Sequence, residues 1–523
     1  MMQRLRSVTW PWYLLLAFSL WLHLWGLGER SYHHDESIHA KLSWDMSQGG
    51  SYRYDPTYHG PLLYAAVAAT FLVVEASDFT ARLPIALAGV LLVAVAWFLR
   101  RPFGEKAAWW SGLLFTVSPS ILFFSRFLRM DALELVTASA AFASFYAVIR
   151  GSERAWGWLG LWSGLAFATK ENAYVTSAIT VLAAAVVALD WGPAKALRLG
   201  ARWLLRRWTG VVLAGGVFVL VTIPLYTVGF SRPEDWCFPL KAITYWWNQH
   251  SIQRVPGPWW FYLPRLVQYD FLILGAAFVW IIRRWRKLHP IEVFLISFGV
   301  ASVAMYIYLG EKVPWLLVHQ VWAFVPLAGA QLARTFGSRG CWWSRALAAV
   351  LLAATGMASY SANFRLHEIT PSRAAVESLH FVQTTPEFAA AAREAEAYQQ
   401  QGFTPPAVAV GQAVWPLNWY WRELPVSWAR PEAGDEPGIV FCDPEDEVGL
   451  LEILGPEWHA ERIPLRSWWL MYAGDPDLRD WARYLVTREP WGDIGSTWTV
   501  VLRRAPDDDV EAEVNRLYGE RHE

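Results

Sequence analysis

The feature that most constrains this chain is a recurrence. Apolar stretches about as long as a bilayer is thick return through its first two thirds, near residues 8–27, 82–100, 107–124, 132–149, 156–169, 173–190, 210–229, 266–282, 291–309, 314–333 and 345–361. Each approaches the ~20 residues a helix needs to cross a hydrocarbon core about 30 Å thick. Inside such a core every backbone N–H and C=O must find its partner within the segment, so an apolar run of this length is read as a helix. Composition agrees: 54% of the 523 residues are hydrophobic and only 17% charged, where soluble domains carry about a quarter charged. The chain reads as an α-helical polytopic membrane protein with about eleven transmembrane helices. A net charge of -1 and a pI near 6.9 give no basic footprint for phosphate backbones, so no nucleic-acid partner is expected. Cys237, Cys341 and Cys442 are far apart and form no CxxC pair, which argues against a disulfide framework or a thiolate metal site.

Charge placement orients the helices. The first stretch follows Arg4 and Arg6 without a cleavage motif, so a retained helix is expected. Residues 61–76 are apolar but short and interrupted by Glu75; if they do not span, the basic clusters at 100–106, 150–154, 195–207, 283–287 and 334–345 all share the N-terminal side. That arrangement obeys the positive-inside rule. The expected layout is a membrane domain over 1–361, with outer loops at 28–60 and 231–263 and an interfacial helix at 61–76, followed by an extracytoplasmic domain over 362–523. The amino terminus is then cytoplasmic. The near-neutral total is a cancellation, +13 for residues 1–361 against -14 for the rest, which holds 28 acidic residues, 14 Arg and no Lys. Beyond 361 the pattern predicts a helix near 372–400, a strand at Ala407–Val410, a helix near 416–422 and strands at Gly438–Phe441 and Thr497–Leu502, a small α/β domain with an acidic end at Asp507–Asp509.

In this topology several charged groups of a greasy chain fall on one face: Asp35 and Glu36, Asp55 and His59, Asp131, Lys170 and Glu171, and Glu311 and Lys312 with His319. Charges near membrane depth are costly and mark candidate sites. In Ser31–His39 the acids either cap the following helix or supply a carboxylate general base; His33, His34 and His39 leave metal binding open, though their spacing matches no compact zinc motif. Arg126 and Arg129, three apart, share a face if that segment is helical. They either reach toward lipid headgroups or grip a phosphate, with Asp131 capping the next helix or positioning a metal or acceptor. Lys170-Glu171-Asn172 is either a polar turn or a compact positive charge for a leaving phosphate. Glu311 and Lys312 either pair with each other or join that site. The aromatic loop 234–262, with Trp246, Trp259 and Trp260, suits an interfacial belt and also suits sugar stacking.

In order, these segments resemble the GT-C superfamily of integral-membrane glycosyltransferases: Asp35-Glu36 after the first helix, Tyr58-His-Gly-Pro-Leu-Leu-Tyr64, Ala81-Arg-Leu-Pro84, Ser125-Arg through Asp131, and Ala168-Thr-Lys170. Within the superfamily the chain is similar to a bacterial and archaeal group of flippase-activity-associated proteins, related to protein O-mannosyltransferases. That likeness is carried by His34-Asp-Glu-Ser-Ile-His39, Asp55–Gly60, Lys170–Asn172, Glu311–Trp315, Phe381-Val-Gln-Thr-Thr-Pro386 and Trp415-Pro-Leu-Asn-Trp-Tyr420. The resemblance implies transfer of a sugar from a polyprenyl phosphate to a glycan, lipid or protein acceptor at the outer membrane face, with inversion. Asp35 and Asp131 match the functional acids. Glu36, His59, Arg126, Arg129, Lys170, Glu171, Lys312 and His319 are the expected substrate contacts, and a divalent cation is a candidate cofactor. One departure is His59-Gly60, where aminoarabinose transferases carry an acidic-basic pair. The rival reading is a lipid-linked oligosaccharide flippase or an accessory subunit without transferase activity; a transporter would be expected to show paired broken helices, and none is evident.

Overall fold

The computed structural model describes residues 10–50, 52–189, 192–252, 255–338, 340–365 and 377–504. It divides into two compact units: Met1–Leu27 with Ser43–Arg365, and Gly28–Leu42 with Leu366–Glu523. The first holds the apolar helices and is called the membrane unit; the second is called the C-terminal unit. Arg4, Arg6 and Asp507–Asp509 lie outside the described residues.

Helix forms in every one of the eleven apolar stretches. Seven of the resulting helices are long and apolar enough to cross a bilayer: Asp78–Phe103, Met130–Ile149, Trp208–Tyr226, Tyr262–Arg284, Pro290–Tyr308, Pro314–Thr335 and Trp342–Phe364. The pair Glu105–Val117 and Pro119–Ser125 passes the same test only when taken together and is bent by 62°, the geometry of a broken span or a re-entrant loop. The bend has a local cause: Ser118 precedes a proline and takes an extended backbone (ψ 122°), and its hydroxyl caps the new helix at the Ile121 N–H. The other three, Trp10–Leu24, Ala155–Thr169 and Asn172–Val187, have 15 or 16 residues. The helix in the 61–76 segment is Leu62–Phe71, ten residues and so about 15 Å long, half a bilayer core.

Small residues let the helices approach closely. A Cβ at Gly160 would collide with the Ala214 carbonyl, so Ala155–Thr169 and Trp208–Tyr226 pack backbone to backbone. The basic cluster at 195–207 is largely the helix Pro193–Arg206, with Leu197, Leu204 and Leu205 exposed at seven- and eight-residue spacing. A basic helix with one leucine face suits a bilayer surface.

The C-terminal unit is a five-stranded sheet with helices on both faces. Its strands are β1 (Gln383–Thr384), β2 (Ala407–Ala409), β3 (Ile439–Cys442), β4 (Trp458–Trp468) and β5 (Gly495–Arg504), in the order β1-β4-β5-β3-β2. Only β2 and β3 run parallel. Alternation sorts the strand side chains: Ile439, Phe441, Leu465 and Val501 pack with Phe388 and Trp421 on one face, while Val440, Cys442, Val500 and Leu502 pack with Leu450 on the other. The helix expected near 372–400 is Pro386–Gln400, capped by the Thr385 hydroxyl at the Phe388 N–H with Pro386 in the first turn. Residues 372–376 lie outside the described residues, and β1 occupies part of the interval before the helix. Strand β4 was not anticipated, because Pro464 and its charged residues argue against a strand; the pairing absorbs them with a register shift between Pro464 and Arg466.

Candidate active site

Asp35 opens the helix His34–Ser47 on a segment that belongs to the C-terminal unit rather than to a membrane-unit loop. Four contacts fasten that segment. The Ser31 hydroxyl donates to the Thr384 carbonyl (2.8 Å), Gln383 Nε2 donates to the Ser31 carbonyl (2.8 Å), the Tyr32 N–H donates to the Tyr420 hydroxyl (3.1 Å), and His33 Nε2 bonds the Phe381 carbonyl. Their partners come from Phe381–Pro386 and Trp415–Tyr420, the two distal segments whose purpose was opaque in the sequence. The two adjacent acids then diverge. Glu36 is fully buried and accepts from the His33 N–H (3.0 Å) and from Arg30 Nη2 (3.2 Å). It is the third residue of the helix and closes a capping arrangement with the His33 N–H. Asp35 is half-exposed and faces the Arg466 guanidinium. Burial, with Arg466 close by, pushes the His34 ring down to about 4, so the ring beside Asp35 is neutral at pH 7.

In the membrane unit, Asp131 sits at the start of Met130–Ile149 with no exposed surface. Its Oδ1 accepts from Lys170 Nζ (2.7 Å) and His319 Nε2 (3.1 Å), and its Oδ2 from Arg129 Nε (3.4 Å). Residues 131, 170 and 319 are brought together from three different helices or turns. Lys170 reaches the site because Ala155–Thr169 ends there, its backbone turning extended at Lys170 (φ -160°, ψ 151°). Beside it, His59 Nδ1 donates to Glu171 Oε2 (2.7 Å) and the Tyr54 hydroxyl to Glu171 Oε1 (2.9 Å). The His59 ring also stacks on Trp246 (centroids 5.0 Å, 10° between planes). His59 adopts φ 67°, a region that side chains rarely occupy, and a Cβ on Gly60 would run into the Ala168 carbonyl. The departure at His59-Gly60 therefore has a physical content: close backbone approach to the Lys170 turn, and a strained histidine held by Glu171 and Trp246.

His59, Arg129, Lys170, Glu171, Trp246, Tyr306, Glu311 and Trp315 line a cleft whose empty space, open solvent at its mouth included, is about 730 Å³. The Arg129 guanidinium lies 3.7 Å from the centroid of the Trp315 ring. Two expected phosphate contacts are engaged elsewhere. Residues 127–129 are not helical, so Arg126 and Arg129 share no face: Arg126 Nη1 donates to the Leu22 and His23 carbonyls (3.0 and 2.9 Å), closing the end of Trp10–Leu24. Lys312 Nζ bonds the Tyr306, Ile307 and Leu309 carbonyls at the end of Pro290–Tyr308, and burial lowers its ammonium from the ordinary lysine range. A cation at a helix C-terminus is a stable use of both residues. The structure also adds residues absent from the sequence reading: Tyr54, Tyr306 and, in the helix interior, Glu134. The two tyrosines carry no spacing signal, so only the packing reveals them, whereas a carboxylate inside an apolar run, as at Glu134, is a signal in its own right.

At Asp131 the donor set does not fit a divalent cation. Three cationic or N–H groups occupy the Asp131 carboxylate, and among the described residues no three His, Cys, Asp or Glu side chains converge on one point.

Residues 58–227 match the family model described as dolichyl-phosphate-mannose-protein mannosyltransferase. The structure is similar to ArnT from Cupriavidus metallidurans in the apo state, with TM-score 0.63 and 18% identity over 94% of this chain and 98% of that one. It is similar to the same protein bound to undecaprenyl phosphate, with TM-score 0.62, 17% identity and coverage of 94% and 97%. The chain has the GT-C fold. A third GT-C structure, the oligosaccharyltransferase AglB from Archaeoglobus fulgidus in complex with an inhibitory peptide and a dolichol-phosphate, matches with TM-score 0.50 and 14% identity over 84% of this chain and 69% of that one. No curated protein matches the chain in sequence. The GT-C fold accounts for the multi-pass helical body and the small C-terminal sheet region.

Proposed function

We propose that the protein transfers a sugar from a polyprenyl-phosphate donor to an acceptor hydroxyl by a single inverting displacement at the outer face of the membrane. The observation that carries this reading is the Asp131 cluster: a buried carboxylate holding Lys170, Arg129 and His319 beside the cleft. Preorganised cations in a low-dielectric site stabilise charge that develops on a leaving phosphate. Lys170 and Arg129 take that role, with His59 at the cleft wall; Asp131 is their anchor. The undecaprenyl phosphate in one ArnT structure and the dolichol-phosphate in AglB support a lipid phosphate as the leaving group.

In the reaction, the acceptor oxygen attacks the anomeric carbon as the bond from that carbon to the phosphate oxygen breaks. The electron pair departs with the phosphate, and Asp35 takes the acceptor proton. One displacement inverts the anomeric centre. Basic clusters on the N-terminal side of the membrane support a cytoplasmic amino terminus and an extracytoplasmic C-terminal unit.

The test is incubation of purified protein in lipid nanodiscs with a panel of polyprenyl-phosphate sugars, following release of polyprenyl phosphate. Wild type releases it from one donor class and Asp35→Asn does not. An Asp35→Asn protein that inserts normally and transfers at the wild-type rate refutes the base assignment. Movement of intact lipid between leaflets without cleavage refutes the transferase.

A further inference from the structure

The membrane unit holds a second cleft on the far side from the Asp131 cluster. The helix Pro290–Tyr308 connects the two: Glu292 in its first turn lines the second cleft, and Tyr306 in its last turn lines the first. About 20 Å of helix lies between them. The empty space of the second cleft, open solvent at its mouth included, is about 1070 Å³. It opens where four helix ends meet, the starts of Glu105–Val117 and Pro290–Tyr308 and the ends of Tyr262–Arg284 and Pro314–Thr335. Three of these belong to helices long enough to span, so the mouth lies at the headgroup level of one leaflet. Lys106, Arg284 and Arg334 bring three of the basic clusters to its wall, which on the positive-inside reading makes that leaflet the cytoplasmic one.

The charges in this cleft do not cancel, because its two carboxylates are already engaged. Glu105 accepts from Trp12 Nε1 and pairs with Arg100 Nη1 (3.6 Å). Glu292 accepts from Trp280 Nε1 (2.7 Å), the His289 N–H (2.6 Å) and Arg284 Nη2 (3.3 Å). Lys106 and Arg334 stand on the same walls, and neither side chain has an ion-pair or hydrogen-bond partner among the described residues. Both can be reached: Lys106 is exposed and Arg334 half-buried. Phe103, Trp280 and Ile291 add apolar wall beside them. Two uncompensated cations next to apolar surface select the occupant. A small soluble anion would neutralise the cations and leave the apolar wall wet. A zwitterionic lipid would bring a further cation to a site that has two in excess. A phospholipid of net negative charge meets both demands, and basic pockets between membrane helices on the cytoplasmic side suit such headgroups.

We propose that this cleft binds an anionic phospholipid of the cytoplasmic leaflet, its phosphodiester held by Lys106 and Arg334 and its acyl chains against Phe103 and Trp280. The site is separate from the candidate active site and does not depend on the transferase reading. An occupant there links the ends of three spanning helices, one of which carries Tyr306 to the wall of the Asp131 cleft.

The experiment titrates the purified full-length protein in detergent with dioctanoyl phosphatidylglycerol and, separately, with dioctanoyl phosphatidylcholine, and follows bound lipid by native mass spectrometry. Wild type binds phosphatidylglycerol roughly twentyfold more tightly than phosphatidylcholine, the combined effect of two cations near a lipid phosphate. Lys106→Gln and Arg334→Gln each weaken phosphatidylglycerol about fivefold, the double variant removes the preference, and phosphatidylcholine binding is unchanged throughout. Arg198→Gln with Arg202→Gln, on the exposed basic helix Pro193–Arg206, is the control for nonspecific charge and leaves the preference intact. Ala333→Phe fills the cleft and keeps both cations; it abolishes the tight site and keeps the test decisive if the double variant fails to fold. Equal binding of the two lipids to wild type overturns the site, as does wild-type affinity in a folded Ala333→Phe protein or a loss in the control that matches the cleft variants. Displacement of phosphatidylglycerol by inorganic phosphate at equal concentration overturns the lipid assignment in favour of a soluble anion.

Discussion

Replacing Lys170 with methionine tests the cluster on which the proposed chemistry depends. The Lys170 and Asp131 side chains are 4% and 0% exposed, and their atoms approach to 2.7 Å. At an effective dielectric constant of about 20, two unit charges at that separation attract by about 6 kcal/mol, before desolvation is charged against them. Removing one partner of a buried pair costs about 3–5 kcal/mol, because the other charge stays behind. Here Asp131 keeps His319 at 3.1 Å and Arg129 at 3.4 Å, so the lower end, about 3 kcal/mol, is expected. For a chain of this size that lowers the apparent Tm by roughly 3 °C. The assay is tryptophan-monitored unfolding in nanodiscs of wild type, Lys170→Met, Asp131→Asn and the double variant. In the double variant both charges are gone, and its destabilisation should fall short of the sum of the singles by at least about 1 kcal/mol. A Lys170→Met protein that melts with wild type, or strict additivity of the two changes, refutes the buried pair. The cations would then lack the anchor that holds them at the cleft.

Three further outcomes follow from the same contacts. Arg126→Gln, which loses the Leu22 and His23 carbonyls, should cost about 1–3 kcal/mol in unfolding measurements and leave the donor KM unchanged, whereas Arg129→Gln should raise that KM. Glu36→Ala, which removes the cap on His34–Ser47 and the buried partner of Arg30, should lower stability by about 3 kcal/mol, while Asp35→Asn should spare stability and abolish transfer. His34, held down to about 4 in the folded protein against 6.5 unfolded, lets the unfolded chain take up a proton first. Stability is therefore full above pH 6.5 and declines toward pH 4, by about 2 kcal/mol between pH 7 and 5; denaturant titrations should show this slope and His34→Asn should flatten it.

The sequence by itself determined the class of molecule and much of its site inventory. Apolar length dictates helices wherever backbone groups must be satisfied without water, and all eleven stretches are helical at their expected places. Polar residues such as Asp131, Lys170 and His319 stand out against that background because burying them is costly. What they do there was not legible. Arg126 and Arg129 look equivalent three residues apart, yet the break after Ser125 sends one to a helix end and the other to the cleft. Asp35 and Glu36 are neighbours of one chemical type, and only the capping geometry makes Glu36 structural. Lys312 looks like a phosphate ligand until three carbonyls claim it. The deepest difference is the home of Asp35: chain order places it in the first loop of a membrane domain, while the hydrogen bonds of nearby Ser31 fasten its segment to the C-terminal sheet, more than 300 residues onward. Hydropathy is local and is written residue by residue. Partner choice is a long-range competition among hydrogen-bonding groups, which only the tertiary structure resolves.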